Sequence, residues 1–546
     1  MAAFSLRGYS GSRKLQSGQR MSAFRRLIAA AVLALAPVTI PAGAAPLVSP
    51  LQQSVAEAVH DDATLSTFYK NRDFAPIWIG ERSAERREAF FAALAQAGDH
   101  GLPAERYDPA AIRAAIAAAE TASARGALEV RMTRLLTAYA RDLSSGILTP
   151  GEIVSDIALE VSPPDVSAIL TAFADGNPRA VLEALRPHAV QYDRLLREKR
   201  RLEVSRAEGG WGPNISFRAI EPGSTGAAVV ALRDRLIRMG YLERTAVATY
   251  DAALADAVRA FQSDHGLKID GVAGPSTIET LNVPLETRLE QVVVGLERQR
   301  WMNKPLEPRH ILVNLAEQRA YIYDDKKLTF DTDVIVGSEE PDRRTPEFSE
   351  TMTHMVINPT WYVPRSIAVE EYLPELRRGG ARHLDVYSRN GRVDPHRIDF
   401  SRYNADNFPF SLRQPPGPRN ALGRVKFMFP NRWNIYLHDT PARNLFANQR
   451  RTFSHGCVRV ARPLEMAYHL LAPQTDTPEA GFDAILRTGD ERRVDLKRSI
   501  GVHLVYWSVW VEPGGQANYR PDPYGRDQAV MQALRAAGVA LTAPRS

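Results

Sequence analysis

Cysteine is almost missing from this chain: Cys457 is the one thiol in 546 residues. No intramolecular disulfide can form, and a thiolate-rich metal site is excluded. His310, His354, His383, His396, His469 and His503 recur at irregular intervals that form no zinc signature. Long apolar runs are scarce as well. Beyond residue 45 no stretch of eighteen apolar residues occurs, so no membrane-spanning helix is expected there. An excess of charge of one sign is absent from most of the chain. Before residue 45 the basic residues are Arg7, Arg13, Lys14, Arg20, Arg25 and Arg26, with no acidic residue among them. Without those six, 63 basic residues face 63 acidic ones, although the whole chain carries +6. Bulk charge therefore gives no reason to expect a nucleic-acid partner. A hydrophobic content of 44% excludes wholesale disorder.

What is present begins with a targeting pattern. Arg25 and Arg26 precede an apolar stretch from Leu27 to Ile40, followed by the small residues Ala42, Gly43 and Ala44. The stretch is short for a membrane span and contains Pro37. Residues 1–44 thus read as a cleaved secretory signal, with Met21 an alternative start. The expectation is an exported, periplasmic protein with no stable membrane anchor after cleavage.

At ~150 residues per domain, the length predicts three or four domains. Residues 45–210 read as a helical scaffold, with good helix formers over 86–97 and 110–143. Phe68, Tyr69, Phe74 and Trp78 are expected in its core. Residues 218–285 form a second unit. Val229, Leu232, Leu236 and Ile237 share one helical face that Gly240 is placed to end. Leu254, Val258 and Phe261 repeat the pattern, closing at Gly266. Ser276 and Glu279 predict a capping box for a third short helix. The strings Ala260-Phe261-Gln262, Gly266-Leu267 and Asp270-Gly271-Val272-Ala273-Gly274-Pro275 resemble the peptidoglycan-binding domain of many wall enzymes. A helical spacer that binds nothing is the alternative.

From about residue 308 the apolar period switches to two, as in Ile311, Val313 and Leu315. A β-rich domain is expected over 308–512. Residues 358–418 interrupt it with many Pro, Gly, Arg and Asn, which suggests an inserted lid subdomain. Its Trp361, Tyr362, Tyr387, Tyr403 and Phe408 suit a cover that packs on a ligand. Residues 513–546 are expected to be a peripheral extension.

The chemistry concentrates at Ser454-His455-Gly456-Cys457-Val458-Arg459-Val460, ahead of a helix-like run from Pro463 to Leu471. A lone cysteine is commonly a small buried hydrophobe. Here, however, a helix N-terminus nearby would lower the thiol pKa. Gly456 leaves room for a substrate, and the backbone N–H groups of Gly456 and Cys457 are candidate oxyanion donors. His438 stands nineteen residues upstream, at the end of a predicted strand, where it can serve as the base that a cysteine nucleophile needs.

This segment resembles the active-site signature of the L,D-transpeptidases (YkuD-type catalytic domain). The strings Gln414 to Gly423 and Tyr436-Leu437-His438-Asp439-Thr440-Pro441 are similar to the large YcbB-like branch. The implied fold is a multidomain α+β chain: helical N-terminal region, three-helix peptidoglycan-binding-like module, and β-rich catalytic domain with its lid. The resemblance implies Cys457 as nucleophile, His438 as partner, and the Asp439 carbonyl as orienter of the imidazole. His455, Arg459, Tyr436 and Asn420 are implied substrate-side candidates, with loop-shaping as the alternative for His455 and Arg459. It further implies peptidoglycan stem peptides and the sacculus as substrate, no metal or organic cofactor, and cell-wall synthesis proteins as partners. The implied reaction is 3→3 cross-linking from a tetrapeptide donor. Alternatives are an L,D-carboxypeptidase, a lipoprotein-tethering transpeptidase, and a non-catalytic wall-binding protein.

Overall fold

Side-chain caps divide the N-terminal half into short helices. The computed structural model describes residues 48–80 and 83–541; the segment read as a signal, residues 1–44, lies outside the described residues. Asp62, Asp108, Thr121, Asp165 and Asn177 each accept a backbone N–H from the first turn of the helix that follows. Thr121 therefore splits the run over 110–143 into helices Pro109–Ala118 and Ala122–Ser144. Tyr69 and Trp78 are fully buried and Phe68 nearly so, while Phe74 packs at the edge of the same core. The Glu129 carboxylate reaches into it and accepts from the Tyr69 hydroxyl at 2.8 Å and the Ile77 N–H at 2.6 Å.

Three helices follow, Ala227–Met239, Ala252–Asp264 and Pro275–Leu281. Gly240 ends the first in the left-handed region, with φ of 86°. The expected capping box does not form. Pro275 opens the third helix and Gly274 precedes it, so Ser276 already lies inside the first turn. These helices share one hydrophobic core with Tyr192, Leu195 and Leu202 of the helical region and with Tyr519 near the C-terminus. The module is built into its neighbours rather than strung between them. The long helix Leu285–Trp301, buried along most of its length, joins it to the β-rich part.

That part is a nine-stranded sheet plus two smaller ones. Its strands are β1 (Arg309–Asn314), β2 (Arg319–Asp324), β3 (Lys327–Gly337) and β4 (Phe348–Ile357). The inserted segment supplies β5 (Trp361–Tyr362), β6 (Asp385–Ser388), β7 (Gly391–Val393) and β8 (Ser411–Gln414). Then come β9 (Val425–Met428), β10 (Leu437–His438), β11 (Thr452–Ser454), β12 (Val458–Val460), β13 (Arg492–Val505), β14 (Val509–Val511) and β15 (Ala517–Tyr519). The large sheet runs β11-β3-β12-β10-β9-β4-β13-β1-β2, and a further β2–β3 pairing closes it on itself. Closure protects most of the strand edges and wraps the sheet around a core that includes Val313, Met355, Phe427, Leu437 and Val458.

The inserted segment is more regular than its composition suggests. It forms a sheet in the order β5-β8-β6-β7 with a core of its own, including Leu373, Val386, Phe400, Phe408 and Leu412. Phe408 is buried in that core and Trp361 in the core of the large sheet, so neither lines the segment's surface. Tyr362 stays exposed, under the Arg413 guanidinium that also covers Tyr387.

The C-terminal residues are not peripheral. β15 pairs with β14, and the helix Arg526–Ala536 buries Arg526, Val530 and Leu534. Tyr524 donates to the Gly337 carbonyl at 2.6 Å.

Candidate active site

Period-two alternation sorts the chemistry onto one face of the large sheet. On β9, β10 and β12 the residues Val425, Phe427, Leu437 and Val458 are fully buried in the core. Their alternates face the other way. Register places Lys426 opposite His438 and His438 opposite Arg459, so Lys426, His438 and Arg459 form a row across three adjacent strands. Two residues back along the chain from His438 and Arg459, Tyr436 and Cys457 share the neighbouring rung, where the Val458 N–H donates to the Tyr436 carbonyl at 3.1 Å.

The histidine is fixed by its own backbone neighbour. His438 Nδ1 lies 2.5 Å from the Asp439 carbonyl oxygen. Since that oxygen can only accept, the proton sits on Nδ1 and the Nε2 lone pair is left for other work. Asp439 is held in turn: its carboxylate accepts from the N–H of Arg424 at 2.9 Å and of Thr440 at 2.7 Å. Its approach requires Gly423, where a Cβ would stand 2.3 Å from the Asp439 carboxyl carbon.

The sulfur lies against a tight loop. Cys457 Sγ points at the Asn434 carbonyl at 3.8 Å. Asn434 has φ of 56°, a conformation that Asn tolerates better than most residues. Asn431 ties the loop together. Its side chain donates to the carbonyls of Phe429 and Ile435 and accepts from the N–H groups of Trp433 and Ile435.

Two expectations about the thiol fail. β12 intervenes between Cys457 and the helix Pro463–Leu471, so the cysteine does not lie in the first turn of that helix. The Gly456 N–H is engaged by the Ser454 hydroxyl at 3.1 Å, so it is not a free oxyanion donor. Gly456 is needed for its backbone, with φ of 104°, and its carbonyl accepts from the Thr345 hydroxyl at 2.7 Å.

Burial decides the protonation of the pair. It raises the Cys457 thiol to about 11, against the opposing influence of the Tyr436 N–H and hydroxyl and of the Arg459 and Lys426 charges. Burial also lowers His438 to about 3, helped by the Arg459 and Lys426 charges and opposed by the Asp439 carbonyl. Both shifts favour the neutral thiol and the neutral imidazole in the unliganded site.

The remaining candidates separate. His455 Nε2 lies 2.6 Å from Glu371 Oε1, which ties the Cys457 loop to the inserted segment. Arg343 joins the same contact, 3.2 Å from Glu370 and 3.9 Å from Glu371. The helix there widens to a π turn over Ala368–Tyr372, which displaces both carboxylates from a regular helical position. Asn420 is fully committed to its own loop: it donates to the carbonyls of Gln414 and Pro415 and accepts from the Leu422 N–H at 2.8 Å. It does not reach the site. Sequence reasoning missed Lys426, although its alternation with Val425 and Phe427 carried the signal. Nothing in the sequence marked Glu371 or Thr345.

The fold and this constellation define a class: a multidomain α+β chain whose closed sheet carries a histidine on β10 and a cysteine at the start of the adjacent strand β12. Family models agree part by part. Residues 308–478 match YkuD, the L,D-transpeptidase catalytic domain; residues 63–198 match a scaffold domain; residues 225–281 match a "Putative peptidoglycan binding domain". A curated protein of Haemophilus influenzae, named "Putative L,D-transpeptidase", is 30% identical over 262 residues, 46% of this chain and 52% of that protein. The chain thus spans about half the length of the curated relative it matches. Among solved structures, an L,D-transpeptidase from Xylanimonas cellulosilytica shares 16% identity, covering 54% of this chain and 100% of that one at a TM-score of 0.17. One from Stackebrandtia nassauensis shares 14%, covering 54% and 97% at a TM-score of 0.20. Superpositions that weak carry no structural argument, and the likeness to the transpeptidases rests on the family models and the curated relative.

Proposed function

We propose that this chain is a cysteine-dependent L,D-transpeptidase that forms 3→3 cross-links between peptidoglycan stems outside the cytoplasm. The observation that carries the reading is a histidine whose Nδ1 is occupied by the Asp439 carbonyl, on the strand paired with the one that Cys457 precedes. That arrangement leaves the Nε2 lone pair as the proton acceptor proposed for the thiol. In the proposed first step the Cys457 sulfur attacks the carbonyl of the third stem residue while its proton passes to His438 Nε2. The amide C–N bond breaks, and the leaving D-Ala amine takes that proton. A thioester remains. The side-chain amine of a second stem then attacks it, gives a proton to His438, and expels the sulfur, which recovers the proton.

Because burial favours the neutral form of both partners, proton transfer accompanies attack instead of preceding it. Tyr436, beside the sulfur, is the side chain best placed to assist the oxyanion once Gly456 is discounted. The inserted segment, linked to the Cys457 loop through Glu371, is read as the cover that keeps water from the thioester.

The test is mass analysis of muropeptides from purified sacculi after incubation with the protein. Expected are 3→3 dimers at the expense of tetrapeptides, with release of D-Ala, and none of this with Cys457→Ala. Tripeptides without dimers would identify a carboxypeptidase. An unchanged profile with well-folded protein would overturn the reading.

A further inference from the structure

We infer that Lys426 and Arg459, flanking His438 across three strands, form a carboxylate-binding subsite beside Cys457, which selects acyl donors that carry a carboxylate near the scissile carbonyl. The inference deepens the proposed function and rests on it for the identity of the donor, although its first test does not.

Lys426 and Arg459 are both half-buried. Neither makes a hydrogen bond or ion pair among the described residues. The two carboxylates that influence them from farther away, Glu491 and Glu371, are committed elsewhere. Glu491 accepts from the Thr360 N–H, and Glu371 takes His455 at 2.6 Å. A partly desolvated cation without a counter-charge is costly. Two of them on one face, either side of a histidine, raise that cost, since like charges repel across neighbouring strands.

The cations lie one rung from the Tyr436–Cys457 pair, and the Lys426 ammonium stands 5.9 Å from the centre of the Tyr436 ring. An anion between them would sit next to the reacting carbonyl. It would relieve their repulsion and offset the field that now disfavours a protonated His438. Binding of a carboxylate would thereby make His438 a stronger base at the moment it is needed. Electrostatic support of the thiolate by the same two charges accounts for their influence on Cys457, but not for their lack of any carboxylate partner.

A donor stem offers two carboxylates of this kind: the C-terminal one on D-Ala and the side-chain one of the diamino diacid. The test separates the subsite from both alternatives. Cys457 alkylation is followed by mass spectrometry with anionic iodoacetate and with neutral iodoacetamide, both of which consume the thiolate. In Lys426→Met the ratio of iodoacetate to iodoacetamide rates should fall about tenfold, and further in the double variant with Arg459→Met. Lys426→Arg should restore most of the ratio, which excludes a folding defect as the cause. A fall in both rates by one common factor would overturn the inference, leaving only a thiolate-supporting role. With tetrapeptide donors, the Lys426→Met loss should vanish for the carboxylate that the subsite binds: for a C-terminal amide if it is that of D-Ala, for a lysine-containing stem if it is that of the diacid. Persistence of the loss with both would equally overturn it. Failure of the transpeptidase reading would show instead in the muropeptides, with the alkylation ratio still intact.

Discussion

Two groups of cations in this molecule, one buried and one half-buried, behave in opposite ways. Where the C-terminal end of the helix Leu285–Trp301 meets the sheet and the C-terminal helix, Arg298, Arg300 and Arg526 each have a carboxylate. Arg298 contacts Glu347 at 2.7 Å and Asp527 at 3.0 Å, Arg526 shares Glu347 at 3.3 Å, and Arg300 takes Glu297 at 2.6 Å. On the face that carries His438, Lys426 and Arg459 have none among the described residues. The first group joins parts distant in sequence, with Arg298 and Asp527 separated by 229 residues. Such closed pairs specify architecture; buried Arg235 and Arg288, which lack a carboxylate, are held instead by backbone carbonyls, an amide and an aromatic ring, whereas no hydrogen bond holds the side chains of Lys426 and Arg459 among the described residues.

The largest effect expected is at the reacting pair. Cys457→Ala should abolish both cross-linking and the covalent adduct with a carbapenem, with the far-UV circular dichroism spectrum unchanged. His438→Ala should slow acylation at least ~10²-fold, the usual scale of acid–base assistance. Equal damage from His455→Ala at unchanged stability would reassign the base. At the junction the loss should appear in stability instead. Arg298→Met leaves the buried Asp527 carboxylate without its cation and Glu347 with Arg526 alone, and a broken buried pair costs about 3–5 kcal/mol. Denaturant unfolding should show that drop, while carbapenem acylation of the folded fraction continues. A variant that loses acylation without losing stability would place Arg298 in the other group and break the comparison.

The same contrast explains what the sequence made legible. Strand alternation and the motif around Cys457 located the sheet, the thiol and His438, because both signals are local. The Asp439 carbonyl came with the family resemblance and fits the geometry. The protonation state was not legible. A thiol ahead of Pro463 to Leu471 looks like a helix-capped thiolate until the three residues of β12 are seen to intervene. Asn420 lies in a Pro- and Gly-rich string and looked available, but three hydrogen bonds within its own loop consume it. The tail after Pro513 carries turn residues that suggest a loose end. Its burial depends on Glu347 and Tyr506, which are remote in sequence and carry no local signal. The shared core of the three-helix module is hidden for the same reason.

A pH profile sharpens the contrast within the site itself. Burial places the thiol near 11 and His438 near 3, so both are expected to stay neutral from about pH 5 to 9. The thiolate fraction should then climb about tenfold per unit of pH across neutrality. Iodoacetamide alkylation of Cys457 in the unliganded protein should rise without a plateau between pH 6 and 9. An imidazolium–thiolate pair predicts a plateau over that whole range, and its observation would remove the neutral resting state. Lys426→Met should move the curve to still higher pH, because it deletes one of the charges that favour the thiolate.

The smallest effect expected is at the contact between the inserted segment and the Cys457 loop. His455, Glu371 and Arg343 are all partly exposed, and pairs of this kind contribute about 0–1 kcal/mol. Glu371→Gln keeps the shape and removes the charge, so it should shift the closed position by at most several-fold. If the segment covers the thioester, even that shift has a chemical readout: water reaches the acyl-enzyme more often before the acceptor amine does. The ratio of tripeptide to 3→3 dimer should rise by a factor of about two to five, while the rate of carbapenem acylation stays within error. Raising the ionic strength should produce the same change in the unmodified protein and little in Glu371→Gln, because screening and substitution remove the same attraction. A ratio that responds to neither would make the segment a fixed support whose aromatic core stabilises only itself. The unpaired cations would then stand as the feature of this face that responds to the substrate.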